Sequence, residues 1–189
     1  MRNLSGIGRL SSIDRPFPIE IRTGISLEEY AKVPSRFLVS ERVVGFPDIR
    51  FEPISQPYEK DYDAIPGNHP TEWEMDFTNW LIACAFSEGR QVGGVIVGWF
   101  SGAVLWDVRV LPEFQGKGIG RQLVGFAEQW AMKKGAGILE IETQDNNARA
   151  CRLYASLGYE LVSFEPDAYP DLPGEAKLIW SKRLEGRRF

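Results

Sequence analysis

The segment Gln115-Gly-Lys-Gly-Ile-Gly-Arg121 sets three glycines at alternate positions, with Lys117 and Arg121 among them, just where apolar residues take up helical spacing. Gly116, Gly118 and Gly120 allow positive φ and a close approach of backbone to a ligand. The first-turn amides of a helix have no partner within it. At the positive end of the helix dipole these amides make a concave anion site, to which Lys117 and Arg121 add mobile charge. A pyrophosphate is the natural guest. The plain alternative is a flexible turn before a surface helix, and a glycine pattern alone does not decide between them. No G-x-x-x-x-G-K-[ST] is present, which excludes a P-loop. The spacing G-x-G-x-G also departs from the dinucleotide fingerprint, although Glu140 or Glu142 follows roughly 20–25 residues on, as a ribose-binding acid would.

The elements that must carry this loop can be read from periodicity. Trp80–Phe86 and Gln91–Trp99 are apolar runs joined by Ser87-Glu88-Gly89-Arg90, a hairpin signal, and Ser101-Gly102 turns into Ala103–Val110. Ile119, Leu123, Phe126, Ala127, Trp130 and Ala131 form a helical stripe that Gly135 ends. Ile138–Thr143 is the next strand. A second helix starts at Asn147, shows a stripe at Ala150, Leu153, Tyr154 and Leu157, and stops at Gly158. Tyr159–Phe164 and Glu175–Leu184 read as closing strands. Upstream, Phe17–Arg22, Arg36–Val44 and Ile49–Ile54 read as strands, Ser26–Lys32 as a short capped helix, and Gln56–Glu72 as a loop rich in Pro and Gly. The fold class expected is α/β of the α+β type, one domain over 1–189, with a mixed and mostly antiparallel sheet.

Composition narrows the function. The 189 residues are 43% hydrophobic and 25% charged, with a net charge of −4, an ordinary globular balance. A dedicated nucleic-acid binder is expected to be basic. Cys84 and Cys151 are far apart and form no CxxC pair, and His69 is the single histidine, so neither a metal site nor a redox motif is expected. Reduced thiols fit the cytoplasm. Val92–Phe100, the longest apolar stretch, falls short of a membrane span of about 20 residues. Met1-Arg2-Asn3-Leu4 turns polar without an apolar run, so no signal peptide is expected.

Gln115-Gly-Lys-Gly-Ile-Gly120 resembles the Q/R-x-x-G-x-G/A loop of the GNAT family of N-acetyltransferases. The stretch from Glu142 to Tyr159 looks like the second half of the same fold: an acid on a strand, Asn147 opening a helix, Tyr154 seven residues later, and the closing pair Gly158-Tyr159. The resemblance covers about Trp80–Leu184, the family core, and leaves 1–79 as an acceptor-side region. Within the family the Glu142–Tyr154 run is most similar to streptothricin acetyltransferases; Leu10-Ser-Ser-Ile-Asp14 and Pro57-Tyr58 are similar more weakly. Trp106 stands where that subgroup usually has an acid, before the retained Asp107, and Asp167-Ala168-Tyr169 only partly fits its acceptor-side loop.

The resemblance implies two central parallel strands that splay apart, flanked by helices, with acetyl-CoA as acetyl donor and no metal. Residues 115–121 hold the pyrophosphate. Val108, Arg109 and Val110 bond the pantetheine arm through backbone groups, and an amide near Val110 polarises the thioester carbonyl. Asn147 binds the coenzyme while also serving as an N-cap. Tyr154 is the candidate general acid, although an aromatic residue at helical spacing is by itself more often core. Glu142 is the candidate base, equally readable as an outward charge or an ion-pair partner; Asp107 is its rival and Glu140 a further choice. Cys151, one turn before Tyr154, has no histidine at a readable spacing and reads as packing. His69 reads as a surface residue.

On the acceptor side, residues 48–76 carry eight acids, Asp48, Glu52, Glu59, Asp61, Asp63, Glu72, Glu74 and Asp76, against Arg50 and Lys60, a local charge of −6. Such a lip attracts a cationic amine, whereas charge runs are usually just solvated. Trp73, Trp80, Trp99 and Trp106 are either aromatic walls or core. The leading reading is direct acetyl transfer to a small cationic amine such as a streptothricin-type antibiotic. The alternatives are acetylation of a protein N-terminus or lysine, and a non-catalytic acyl-CoA-binding module. Partners are expected to be a small-molecule amine, without nucleic acid or membrane, and a homodimer stays open.

Overall fold

The computed structural model describes residues 16–74 and 77–185. Leu10–Asp14 and Asp76 therefore lie outside the described residues. The elements in chain order are β1 (Glu20–Thr23), α1 (Leu27–Tyr30), β2 (Phe37–Val44), β3 (Arg50–Lys60), β4 (Trp80–Ser87), β5 (Arg90–Trp99), β6 (Ala103–Val110), α2 (Ile119–Lys133), β7 (Ile138–Gln144), α3 (Ala148–Ser156), β8 (Glu160–Glu165) and β9 (Lys177–Arg183). Seven strands form one sheet in the order β1-β4-β5-β6-β7-β9-β8, and β2 pairs with β3 in a separate two-stranded sheet. Among the described residues only β6 and β7 run parallel; the other pairs are antiparallel. This is the mixed, mostly antiparallel sheet expected from the sequence. Among the described residues no helix is long and apolar enough to cross a membrane.

The centre of the sheet follows from its composition. Strands β4 and β5 are apolar on both faces and buried along most of their length, as strands covered on two sides must be. They turn at Glu88 and Gly89, both at positive φ, the backbone that a two-residue hairpin demands. On one face, α2 lays Ile119, Leu123, Val124, Ala127 and Ala131 into the core. On the other, Tyr30 of α1 is fully buried against β5. It fits because Gly94 has no Cβ; one would stand 2.6 Å from the Tyr30 ring.

The sequence reading fails at β3. Residues 56–72 were expected to be a loop, yet the strand continues through Pro57 to Lys60. A two-stranded sheet leaves each strand one unpaired edge, where proline's missing N–H costs no ladder bond. The register of β2 against β3 shifts between Val39 and Glu41, opposite that proline-bearing stretch. The hairpin is fastened to the main body by Arg152 Nη2 on Glu41 at 2.7 Å, by Arg42 on Asp145 at 2.9 Å, and by the buried Lys60–Glu175 pair. Val43 N also donates to the Asp145 carbonyl at 2.8 Å.

Candidate active site

Strands β6 and β7 pair at three positions only, Ala103 with Leu139, Val104 with Glu140, and Leu105 with Ile141. Past that last rung they diverge. A β-bulge starts the divergence: on the β5 side, Val97 faces Leu105 and Ile96 faces Asp107, so Trp106 has no partner. Bulges bend a strand and re-aim its side chains. The opening is the floor of a cleft of about 790 Å3.

The glycine loop closes one end. Gly116 and Gly118 have φ of 77° and 80°, and a Cβ on either would meet nothing within 4 Å. Both face open space that a phosphate can fill. Gly118 is the N-cap of α2, so the unpartnered amides of the first turn begin at Ile119. Gly120 differs from expectation: it is helical, and its Cβ would stand 3.2 Å from Leu153 Cδ2. Its bareness serves α2–α3 packing. Lys117 also departs from expectation. Its Nζ lies 4.6 Å from the Phe114 ring centroid and 5.2 Å from that of Phe17, and Lys117 is not among the residues that line the cleft. The cations that do line this end are Arg121, Arg149 and Arg152. Arg121 Nη2 donates to Ser156 Oγ at 3.0 Å. Gln115 Nε2 donates to the Val110 carbonyl at 3.0 Å, and its oxygen accepts from Arg149. Asn147 caps α3, its Oδ1 accepting from Ala150 N at 3.2 Å, and lines the cleft as well.

Val108, Arg109 and Val110 edge the opening on β6. The Arg109 side chain, only 3% exposed, runs away from the glycine loop. Its Nε donates to Asp107 Oδ2 at 2.6 Å, and its Nη1 to Asp63 Oδ2 at 3.0 Å and to the Val33 carbonyl at 3.2 Å. The guanidinium also lies 5.3 Å from the Tyr30 ring centroid. One buried cation thus ties β6, the end of α1 and the loop after β3 together. Burial pushes the Asp107 carboxyl up, with Arg109 pulling it back. Nothing in the sequence pattern announced this knot, because its three segments are remote along the chain.

Tyr154 and Glu142 face the same cleft. Tyr154 is 4% exposed, its ring 6.0 Å from Tyr159 and 6.3 Å from Trp180. It is therefore both core and lining, and burial drives its phenol pKa well up, so the proton is held at neutral pH. Glu142 is exposed, one residue past the last β6–β7 rung, and Tyr169 donates to its Oε1 at 2.9 Å. Glu140, still within the paired stretch, does not line the cleft. Tyr62 donates to Gln144 beside it. Cys84 and Cys151 are buried thiols, each pushed up to about 12 by burial. Cys151 is inert packing at that value. His69 is half-buried and caps a 3-10 turn over Pro70–Glu72.

The acidic segment is not a uniformly solvated lip. Asp61 bonds Arg36 at 3.0 Å and Asp63 bonds Arg109, so both are structural anchors. Glu72 accepts from Gly67 N at 2.9 Å.

A profile of the Acetyltransferase (GNAT) family matches residues 49–159. The chain belongs to the GNAT family of acetyltransferases. It is 32% identical over 155 residues to the [Ribosomal protein bS18]-alanine N-acetyltransferase of Escherichia coli K12, covering 82% of this chain and 93% of the relative. It is 25% identical over 170 residues to streptothricin acetyltransferase A of Bacillus subtilis, covering 84% and 95%. Among solved structures, nourseothricin acetyltransferase superposes with a TM-score of 0.73 at 25% identity, covering 88% of this chain and 99% of that one. A Bacillus anthracis protein named for streptothricin acetyltransferase, solved in complex with acetyl coenzyme A, gives 0.75 at 23%, covering 89% and 100%. The GNAT resemblance read from the glycine loop and the Glu142–Tyr159 signature is thereby established, and with it an acetyltransferase.

Proposed function

We propose that this GNAT enzyme moves an acetyl group from acetyl-CoA directly to a primary amine of a small cationic acceptor, of the streptothricin type. Acetyl-CoA supplies the acetyl group as a thioester. The observation that carries the reading is the polarity of the cleft. Its glycine-loop end presents helix amides with Arg121 and Arg149, whereas its other end presents Glu142 and aromatic rings, with Arg36 and Arg109 there offset by Asp61, Asp63 and Asp107. An anionic coenzyme and a cationic amine sort themselves along such a gradient. The open faces of Gly116 and Gly118 fit a pyrophosphate.

The residues divide the remaining work. Ile119, Gly120 and Arg121 offer first-turn amides to the phosphates, while Gln115 and Asn147 border the same end. The β6 backbone at Val108, Arg109 and Val110 lies along the gap, and an amide near Val110 serves as the oxyanion donor. Glu142 takes the proton of the acceptor ammonium, which frees the nitrogen lone pair for a C–N bond. As the C–S bond breaks, Tyr154 Oη gives its proton to the sulfur. Raised by burial, that phenol stays protonated until the leaving group needs it.

The second reading, acetylation of a protein N-terminus, has its support in the 32% identity to the bS18-alanine enzyme. Shape favours the antibiotic reading, since the solved Escherichia coli S18-alanine enzyme gives a TM-score of 0.59 against 0.73 for nourseothricin acetyltransferase. A thiol-release assay with acetyl-CoA over an amine panel tests the proposal. Release with streptothricin exceeding that with a bS18 N-terminal peptide supports it, and the reverse order overturns the acceptor.

A further inference from the structure

The acceptor end of the cleft is walled by an aromatic corner. Trp106, the unpaired residue of the β6 bulge, is 50% exposed. The Trp73 ring meets it at 84° with centroids 6.2 Å apart, and the Trp80 ring meets it at 88° and 5.3 Å. Phe100, 54% exposed, extends the row by an 85° contact on Trp80. The backbone is shaped to hold this arrangement. Trp80, the first residue of β4, packs over Gly98 of β5, where a Cβ would come within 2.8 Å of its ring. Trp73 and Trp106 line the cleft, with Trp80 and Phe100 buttressing them from outside the lining, and a half-exposed indole on a cleft wall is placed to bind.

Charge says what the corner binds. Arg36 and Arg109 line this part of the cleft, and both are engaged by acids, Asp61 for the first and Asp63 with Asp107 for the second. Glu72 and Glu74, exposed, flank Trp73 in the chain, and Asp107 follows Trp106. Indole faces carry negative quadrupole charge and attract ammonium or guanidinium groups. We propose that Trp73 and Trp106 hold a second cationic group of the acceptor, away from the nitrogen that is acetylated, so that the enzyme selects amines carrying two or more positive charges. This rests on the reading of the cleft as an amine acetyltransferase site.

Two measurements separate the corner from that reading. In the first, kcat/KM is compared for diamines from putrescine upward and for monoamines of matched length. The best diamine should exceed its monoamine by about tenfold, a cation–π-sized preference. Trp106→Ala should collapse that ratio towards one, and Trp106→Phe should keep part of it. The acetyl-CoA thermal shift of both variants reports that they are folded. A ratio unchanged in Trp106→Ala overturns the proposal. In the second, tetramethylammonium, whose quaternary nitrogen cannot be acetylated, is titrated against the protein while the indole N–H of Trp73, the ring that meets Trp106, is followed by NMR. A saturable shift, lost with Trp106→Ala, supports the corner even if no amine is acetylated, in which case only the parent reading fails. No shift, or an equal shift in the variant, overturns it.

Discussion

The two ends of the cleft are built in different ways. The end we assign to the coenzyme is local and made of backbone: one turn, two glycines at positive φ and the first amides of α2, all within residues 115–121. The end we assign to the acceptor is assembled from remote segments through side chains. Arg109 joins Val33, Asp63 and Asp107, and Trp106 joins Trp73 and Trp80. A local backbone device can persist while the other end is rebuilt by loop changes. One fold can thus keep its donor and change its acceptor.

Breaking the acceptor end through its buried cation should have the largest effect. Arg109→Met leaves the Asp63 and Asp107 carboxylates without their partner, and removing one member of a buried pair costs about 3–5 kcal/mol. Urea unfolding of the purified variant should show that loss. A loss under about 1 kcal/mol would mean that solvent, not Arg109, satisfies the two acids.

The coenzyme end should break through backbone instead. Gly118→Val places a β-branched side chain at φ 80° and in the space left for a phosphate. Ligand at 100 times its Kd stabilises by about 2.7 kcal/mol, and the variant should lose that acetyl-CoA-dependent gain. A thermal shift equal to wild type would move the phosphate site elsewhere.

Between the ends, Tyr154→Phe should lower kcat by at least about tenfold, since general acid catalysis is worth 10²–10⁴-fold. The acetyl-CoA shift should survive, because the phenol is not part of the glycine loop. An unchanged pre-steady-state rate would reduce Tyr154 to packing.

The smallest effect is expected at Tyr169, which reaches this end of the cleft through its bond to Glu142. Tyr169→Phe should lower kcat/KM for the amine by about threefold to tenfold, the span of a lost bond to an exposed carboxylate. It should leave KM for acetyl-CoA unmoved. An equal effect on both substrates would show a general loosening of the loop.

The same division explains what the sequence could reveal. Glycine spacing, the Asn147–Tyr154 interval and the apolar runs of β4 and β5 are read within single segments, and the structure places each in the element expected. Lys117 sits over two phenylalanine rings rather than in the cleft lining, a cation–π placement that spacing cannot show. The β2–β3 hairpin was half missed because Pro57 read as a breaker when the strand has a free edge. Asp61 and Asp63 read as free acids of a lip, acceptor-binding or solvated, because their partners, Arg36 and Arg109, lie about 25 and 46 residues away. Trp106 gave a signal in the sequence as the aromatic residue standing where an acid was expected, but only the bulge shows why its ring faces outward.

The central claim is that one cleft holds donor and acceptor together, with the acetyl group passing directly between them. Initial rates measured while acetyl-CoA and a cationic amine are varied against each other test it most directly. Double-reciprocal lines should intersect, as for a ternary complex, with free CoA competing against acetyl-CoA. Parallel lines would show a covalent acetyl-enzyme and contradict the account.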